Sequence, residues 1–170
     1  MTTPDFSPAG QSAGAFLPDP TNSNQRILVV EAADDIRQLN AEVLVDAGFQ
    51  VDAAEDGVAA WAALQLHRYD LLITDQFLPN VSGVELLKKL HAARMNLPVI
   101  MATGILPTWE FALHPCLQSV AMLRKPYTFD KLLSMVKHVL HPNAGARVAS
   151  PQTSRAPNRR KQTLPVGLRA

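Results

Sequence analysis

Four residues stand just past short apolar runs, and their types suit phosphoryl chemistry. They are Glu31 after RILVV, Asp75 closing LLITD, Thr103 after PVIMA, and Lys125 shortly after VAML. A carboxylate can act as a nucleophile toward phosphorus. A neighbouring acid can help hold a divalent cation that neutralises the developing charge. A threonine hydroxyl can hydrogen-bond a phosphoryl oxygen, and lysine brings a compact point charge suited to phosphate. Together they suggest phosphorylation of Asp75. Taken singly, each has a plainer role: Asp75 as a loop or capping acid, Glu31 as a solvated acid, Lys125-Pro126 as a common dipeptide.

The phosphoryl reading requires the four residues to meet at one end of one sheet. Arg26–Val30 and Leu71–Thr74 are short apolar runs with β-branched residues, as expected of strands covered on both faces. Phe49–Ala53, Pro98–Ala102 and Val120–Leu123 are the other expected strands. Between them lie helical patterns. Asp34 and Asp35 supply N-cap and first-turn acids to a helix carrying Ile36, Leu39, Val43 and Leu44, which stops at Gly48. Gly57–Leu66 and Val84–Ala93 are helical, and Thr128 caps a helix bearing Phe129, Leu132, Leu133, Val136, Val139 and Leu140. Pro107 and Pro115 leave room for about two helical turns around Thr108–His114. A β-α order repeated five times calls for an α/β, doubly wound parallel sheet with helices on both faces. Ligands in such sheets sit beyond the carboxyl ends of the strands, near the switch in strand order, and that is where the four residues fall.

Composition bounds the rest. The chain has 170 residues, 16 Lys+Arg against 15 Asp+Glu, and 47% hydrophobic residues, which suits one domain with tails. The charge is unevenly spread. Residues 1–24 carry only Asp5 and Asp19, residues 142–170 carry six basic side chains and no acid, and the middle holds −3. Both ends are rich in Pro, Ser, Thr, Asn and Gly, so they are expected to be disordered tails around a folded domain over residues 25–141. The basic tail has a bland reading as a solvated end and a second one as an electrostatic tether. The single cysteine, Cys116, excludes an internal disulfide framework and a multi-cysteine zinc site. No apolar run is long enough to span a membrane, and no secretory signal is expected, so the expected setting is the cytoplasm.

With these residues in this order, the chain resembles the receiver domain of two-component response regulators. The resemblance runs from about Arg26 to Leu140. It is carried by RILVV, by Asp75 at the end of LLITD, and by Pro79 and Gly83 four and eight residues later. PVIMATG at 98–104 and Lys125-Pro126-Tyr127 complete it. It implies a five-stranded (βα)5 flavodoxin-like fold and Asp75 as phosphoacceptor. Thr103 would be the switch hydroxyl, Lys125 a phosphate contact, and the bond before Pro126 cis. It further implies Mg²⁺ held by Glu31, Asp75 and the backbone carbonyl of Phe77. The implied partners are a sensor histidine kinase or phosphotransfer protein upstream and an unidentified protein downstream.

The chain also departs from that pattern. Two acids usually follow the first strand; here the positions read Glu31-Ala32-Ala33, so Ala32 replaces an expected metal ligand and the Mg²⁺ site should be weakened. Phe77, two past Asp75, puts an apolar ring where the family aims a side chain at attacking water, which should slow loss of a phosphoryl group. Met122 stands where the family often has an aromatic switch residue.

Three functions follow from these features. The first is a stand-alone receiver, not an enzyme, signalling through protein contacts, because the 29 residues after His141 are too few and too polar to fold as a DNA-binding domain. The second is a pseudo-receiver interaction module, for which Ala32 argues. The third is an aspartyl-nucleophile phosphohydrolase, disfavoured because Phe77 stands where such enzymes carry a second Asp.

Overall fold

The computed structural model describes residues 24–105, 113 and 119–142. The expected tails apart from Asn24 and Pro142, together with Trp109, Cys116 and all but Leu113 of the segment between Pro107 and Pro115, lie outside the described residues. In chain order the elements are β1 (Arg26–Val30), α1 (Asp34–Asp46), β2 (Gln50–Ala54), α2 (Gly57–Leu66), β3 (Leu71–Asp75), α3 (Gly83–Ala92), β4 (Val99–Thr103), β5 (Ala121–Arg124) and α4 (Phe129–Leu140). The strands form one sheet of order β2-β1-β3-β4-β5. Every pairing is parallel, with Val30 beside Thr74 and Asp75 beside Ala102. This is the doubly wound, flavodoxin-like architecture expected from the sequence.

The period of two along each strand divides the core into two layers. Leu28, Val30, Leu72, Val99 and Met101 face α2 and α3, where they meet Ala60, Leu64, Val84, Leu87 and Leu90. Ile27, Val29, Leu71, Ile73, Ile100 and Leu123 face α1 and α4, where they meet Leu44, Leu132, Leu133 and Val136. Both faces are covered, so β1, β3 and β4 carry no polar alternation. β2, at the sheet edge, is only partly buried.

Helix ends account for the small differences from the sequence reading. Phe49 does not open β2. Its N–H bonds to the Leu44 carbonyl at 3.1 Å while Gly48 N–H bonds to the Val45 carbonyl at 2.9 Å, and Gly48 has φ 96°. This is a Schellman closure of α1, with Phe49 packed in the same core layer as Leu44. The cap of α1 is a correction: Ala33 holds the N-cap position, with no side-chain bond, and Asp34 and Asp35 are the acids of the first turn. Asp34 instead forms an ion pair with Arg37.

Two glycines set how closely helices approach the β3–α3 loop. A Cβ on Gly83 would stand 2.1 Å from the Asp75 carbonyl oxygen, and one on Gly57 would stand 2.1 Å from the Val81 carbonyl oxygen. Gly83 N–H bonds to the Gln76 carbonyl at 3.0 Å, so α3 starts directly against the end of β3. Gly83→Ala is therefore expected to destabilise the fold by about 3 kcal/mol, because backbone must move to relieve the overlap. Urea unfolding checks this; a change below about 0.5 kcal/mol would mean that α3 slides freely against β3.

Candidate phosphoryl-acceptor site

The carboxyl ends of β1 and β3 lie side by side at the point where the chain, having gone out to β2, crosses back over β1. Parallel order places Glu31 just past β1 and Asp75 at the end of β3. Glu31 is buried and Asp75 partly buried, with side chains 7% and 12% exposed. Lys125, just past β5, reaches across the end of β4, and its Nζ donates to Glu31 Oε2 and to Asp75 Oδ2, each at 2.7 Å. Three residues separated by up to 94 positions thus meet at one ammonium. Burial alone would push the Lys125 ammonium down, but the hydrogen bonds and charges of Asp75 and Glu31 outweigh it and hold it above the usual lysine value. A raised folded value means that this contribution to stability is intact at neutral pH and is lost only as pH rises through the lysine range.

The remaining carboxylate oxygens are also engaged. Asp75 Oδ1 accepts from Phe77 N–H at 3.3 Å, and Glu31 Oε1 accepts from Ala33 N–H at 3.2 Å. Glu31 thus bonds back to the β1–α1 loop that holds Ala32. Sequence reasoning missed Arg37 here. Its Nη1 donates to the Glu31 carbonyl at 2.7 Å and to the Ala32 carbonyl at 3.3 Å, while Nη2 pairs with Asp34. One guanidinium therefore fastens the β1–α1 loop from the first turn of α1. On the far side, Asn80 Nδ2 donates to Asp56 Oδ2 at 2.6 Å, tying the β3–α3 loop to the N-cap of α2. The Ala59 N–H and the Asn80 amide together hold the Asp56 carboxyl below its usual range. Ser82 and Glu85 form a capping box that starts α3.

Thr103 lies beside this ion cluster without joining it. It is fully buried at the end of β4, and its hydroxyl bonds to the Gln76 side chain and to the Ile105 carbonyl. Gln76 was also missed: a single polar residue after a strand carries no periodic signal. Phe77 keeps its backbone beside Asp75, and the residue is 64% exposed. Met122 is partly buried against the core layer of α2 and α3. The Lys125-Pro126 bond is cis, and Asn40 Nδ2 donates to the Tyr127 hydroxyl at 3.0 Å, linking that turn to α1.

Among the described residues there is no cluster of three or more His, Cys, Asp and Glu side chains placed to hold a metal. The donors that do meet are still suited to a hard cation. Two carboxylate oxygens converge on one cationic centre, and Phe77 lies two residues past Asp75, its N–H on the Asp75 carboxylate. Mg²⁺ commonly uses one or two carboxylates and keeps several waters.

Residues 27–137 match the response regulator receiver domain family. The chain belongs to that family. Among curated relatives of the receiver domain, the probable transcriptional regulatory protein SilR of Salmonella typhimurium is 35% identical over 118 residues, 68% of this chain and 50% of that protein. The transcriptional regulatory protein CusR of Escherichia coli is 30% identical over 126 residues, 74% of this chain and 55% of that protein. This chain therefore spans about half the length of those relatives. Solved receiver structures are also similar. That of the Francisella response regulator 1452 is 26% identical, with TM-score 0.63, covering 71% of this chain and 99% of that one. The Vibrio cholerae chemotaxis response regulator CheY4 is 28% identical, with TM-score 0.61, covering 68% and 98%. A third, TrrA of Thermotoga maritima, was solved in complex with Mg²⁺-BeF; it is 28% identical, with TM-score 0.59, covering 68% and 98%.

Proposed function

We propose that this receiver accepts a phosphoryl group on Asp75 and signals through protein–protein contacts. The observation that carries the reading is the Lys125 ammonium bridging Glu31 and Asp75 at the switch point of the sheet. The donor is a phosphohistidine on a sensor histidine kinase or phosphotransfer protein. A carboxylate oxygen of Asp75 forms the new O–P bond as the P–N bond breaks, and the imidazole leaves neutral when its second nitrogen carries a proton. Lys125, already at Asp75, balances charge on the phosphoryl oxygens, and Thr103 offers the hydroxyl that turns toward them. Mg²⁺, held by Glu31, Asp75 and the Phe77 carbonyl, would neutralise charge on the phosphoryl oxygens.

Phe77 in place of a second Asp supports an acceptor over a hydrolase. Among the described residues no helix is long and apolar enough to cross a membrane. A cytoplasmic setting is part of the same proposal, since the proposed donor kinases act there.

Intact mass after incubation with a small phosphodonor, with Mg²⁺ titrated, tests the reading. One phosphoryl group per chain, dependent on Mg²⁺, is expected. A folded protein that takes up none would instead be a pseudo-receiver, the second reading, which Ala32 favours. Ala32→Asp is expected to lower the Mg²⁺ needed for half-maximal phosphorylation by about tenfold, since it adds a charged oxygen ligand. An unchanged requirement would place residue 32 away from the metal. Phe77→Asn is expected to shorten the lifetime of the phosphoryl group several-fold, followed by loss of the adduct over time; an unaltered decay would show that the ring does not limit water.

A further inference from the structure

Gln76 is a buried polar side chain whose position is set from both sides. Its N–H bonds to the Ala102 carbonyl at 3.1 Å, and its carbonyl accepts from Gly83 N–H at 3.0 Å. The backbone is thus pinned between β4 and α3, and the side chain, on a residue only 8% exposed, meets the Thr103 hydroxyl. That hydroxyl also contacts the Ile105 carbonyl at 2.5 Å and accepts from Ile105 N–H at 3.2 Å. A hydroxyl has one proton and two lone pairs, and it cannot donate to two acceptors at once. The arrangement closes when Thr103 donates to the Ile105 carbonyl and the Gln76 amide is turned so that Nε2 donates to Thr103. Every hydrogen-bonding valence of the hydroxyl is then taken by protein groups, and none is directed at Asp75.

We infer that Gln76 is a latch on the switch hydroxyl: it holds Thr103 in the unphosphorylated arrangement and sets the threshold that a phosphoryl group on Asp75 must overcome. The inference rests on the reading of Asp75 as phosphoacceptor. Turning the hydroxyl toward a phosphoryl oxygen requires Thr103 to give up its bond to the Ile105 carbonyl and to leave the amide of Gln76, a residue only 8% exposed. Gln76 is accordingly a positioning residue that acts through Thr103. An apolar side chain of similar size at residue 76 removes the latch while Ile105 still satisfies the hydroxyl.

The test is a double-mutant cycle on the full chain with beryllofluoride as the phosphoryl mimic, in the presence of Mg²⁺. Wild type, Gln76→Leu, Thr103→Val and the double variant are each titrated by calorimetry. Gln76→Leu is expected to tighten binding roughly threefold to tenfold when Thr103 is present, and to change nothing in the Thr103→Val background. If Gln76→Leu does not fold, Gln76→Met, longer and more adaptable, takes its place. Equal tightening in both backgrounds, or none in either, would overturn the latch while leaving the acceptor reading intact. Wild type that binds no beryllofluoride would overturn the acceptor reading and the latch with it. The contact can be checked separately in the unmodified protein by NMR. The Gln76 carboxamide protons should exchange slowly with solvent, and faster in Thr103→Val; free exchange in wild type would overturn the latch directly.

Discussion

Asp75→Asn is expected to take up no phosphoryl group at any Mg²⁺ concentration at which the wild-type chain takes up one. The amide has the size of the carboxylate but lacks its charge and its nucleophilic oxygen, so the O–P bond has nothing to form from. Nearby acids are poor substitutes. Glu31 is the more buried of the two carboxylates, its side chain 7% exposed against 12% for Asp75. Asp34 is paired with Arg37, and Asp35 is exposed on the first turn of α1. The fold should survive, because the amide oxygen can still accept from Lys125 and Glu31 keeps its own bond to the ammonium; the stability change should be about 1 kcal/mol. Intact mass together with a urea melt separates lost chemistry from lost structure. An adduct at the wild-type level in a folded variant would move the acceptor elsewhere.

The second large effect is on stability. Lys125→Met is expected to lower the unfolding free energy at pH 7 by about 2–4 kcal/mol, toward the lower side of the range for breaking a buried ion pair, because the lysine is partly exposed. Glu31 and Asp75 would be left facing each other without the cation on which both converge at 2.7 Å. Methionine keeps much of the apolar stem, so the loss reports charge more than packing. Mg²⁺ should then stabilise the variant more than it stabilises wild type, since it would enter a pocket of two uncompensated carboxylates. A variant within about 0.5 kcal/mol of wild type would make the ammonium a spectator, and equal Mg²⁺ effects on both proteins would place the metal away from these carboxylates.

These effects depend on residues far apart in the chain, and this separates what could be read early from what could not. The strands could be read because burial on both faces demands apolar runs such as RILVV and LLIT, and the helices because Leu44, Leu64, Leu87 and Leu132 fall at helical spacing. Parallel pairing follows from the alternation of those elements, and with it the gathering of Glu31, Asp75, Thr103 and Lys125 at one end of the sheet. Boundaries moved where backbone hydrogen bonds outrank side-chain pattern. Phe49 belongs to the closure of α1, and Pro98, without an N–H, contributes only its carbonyl, to Leu72 N–H at 3.0 Å.

Local pattern could not say which neighbour each polar group chooses at the site. Asp34 looks like a cap, yet Arg37 three residues on takes its carboxylate, and the same guanidinium takes the Glu31 and Ala32 carbonyls. Gln76 is an unremarkable residue between a strand and a loop until β4 brings Thr103 against it. Glu31 and Asp75 share one lysine because β1, β3 and β5 are parallel and end on the same side of one sheet. A sequence records residue types and short-range periodicity. Hydrogen-bond partners across 27, 50 or 94 residues are set by distance and desolvation, which exist only once the sheet has formed.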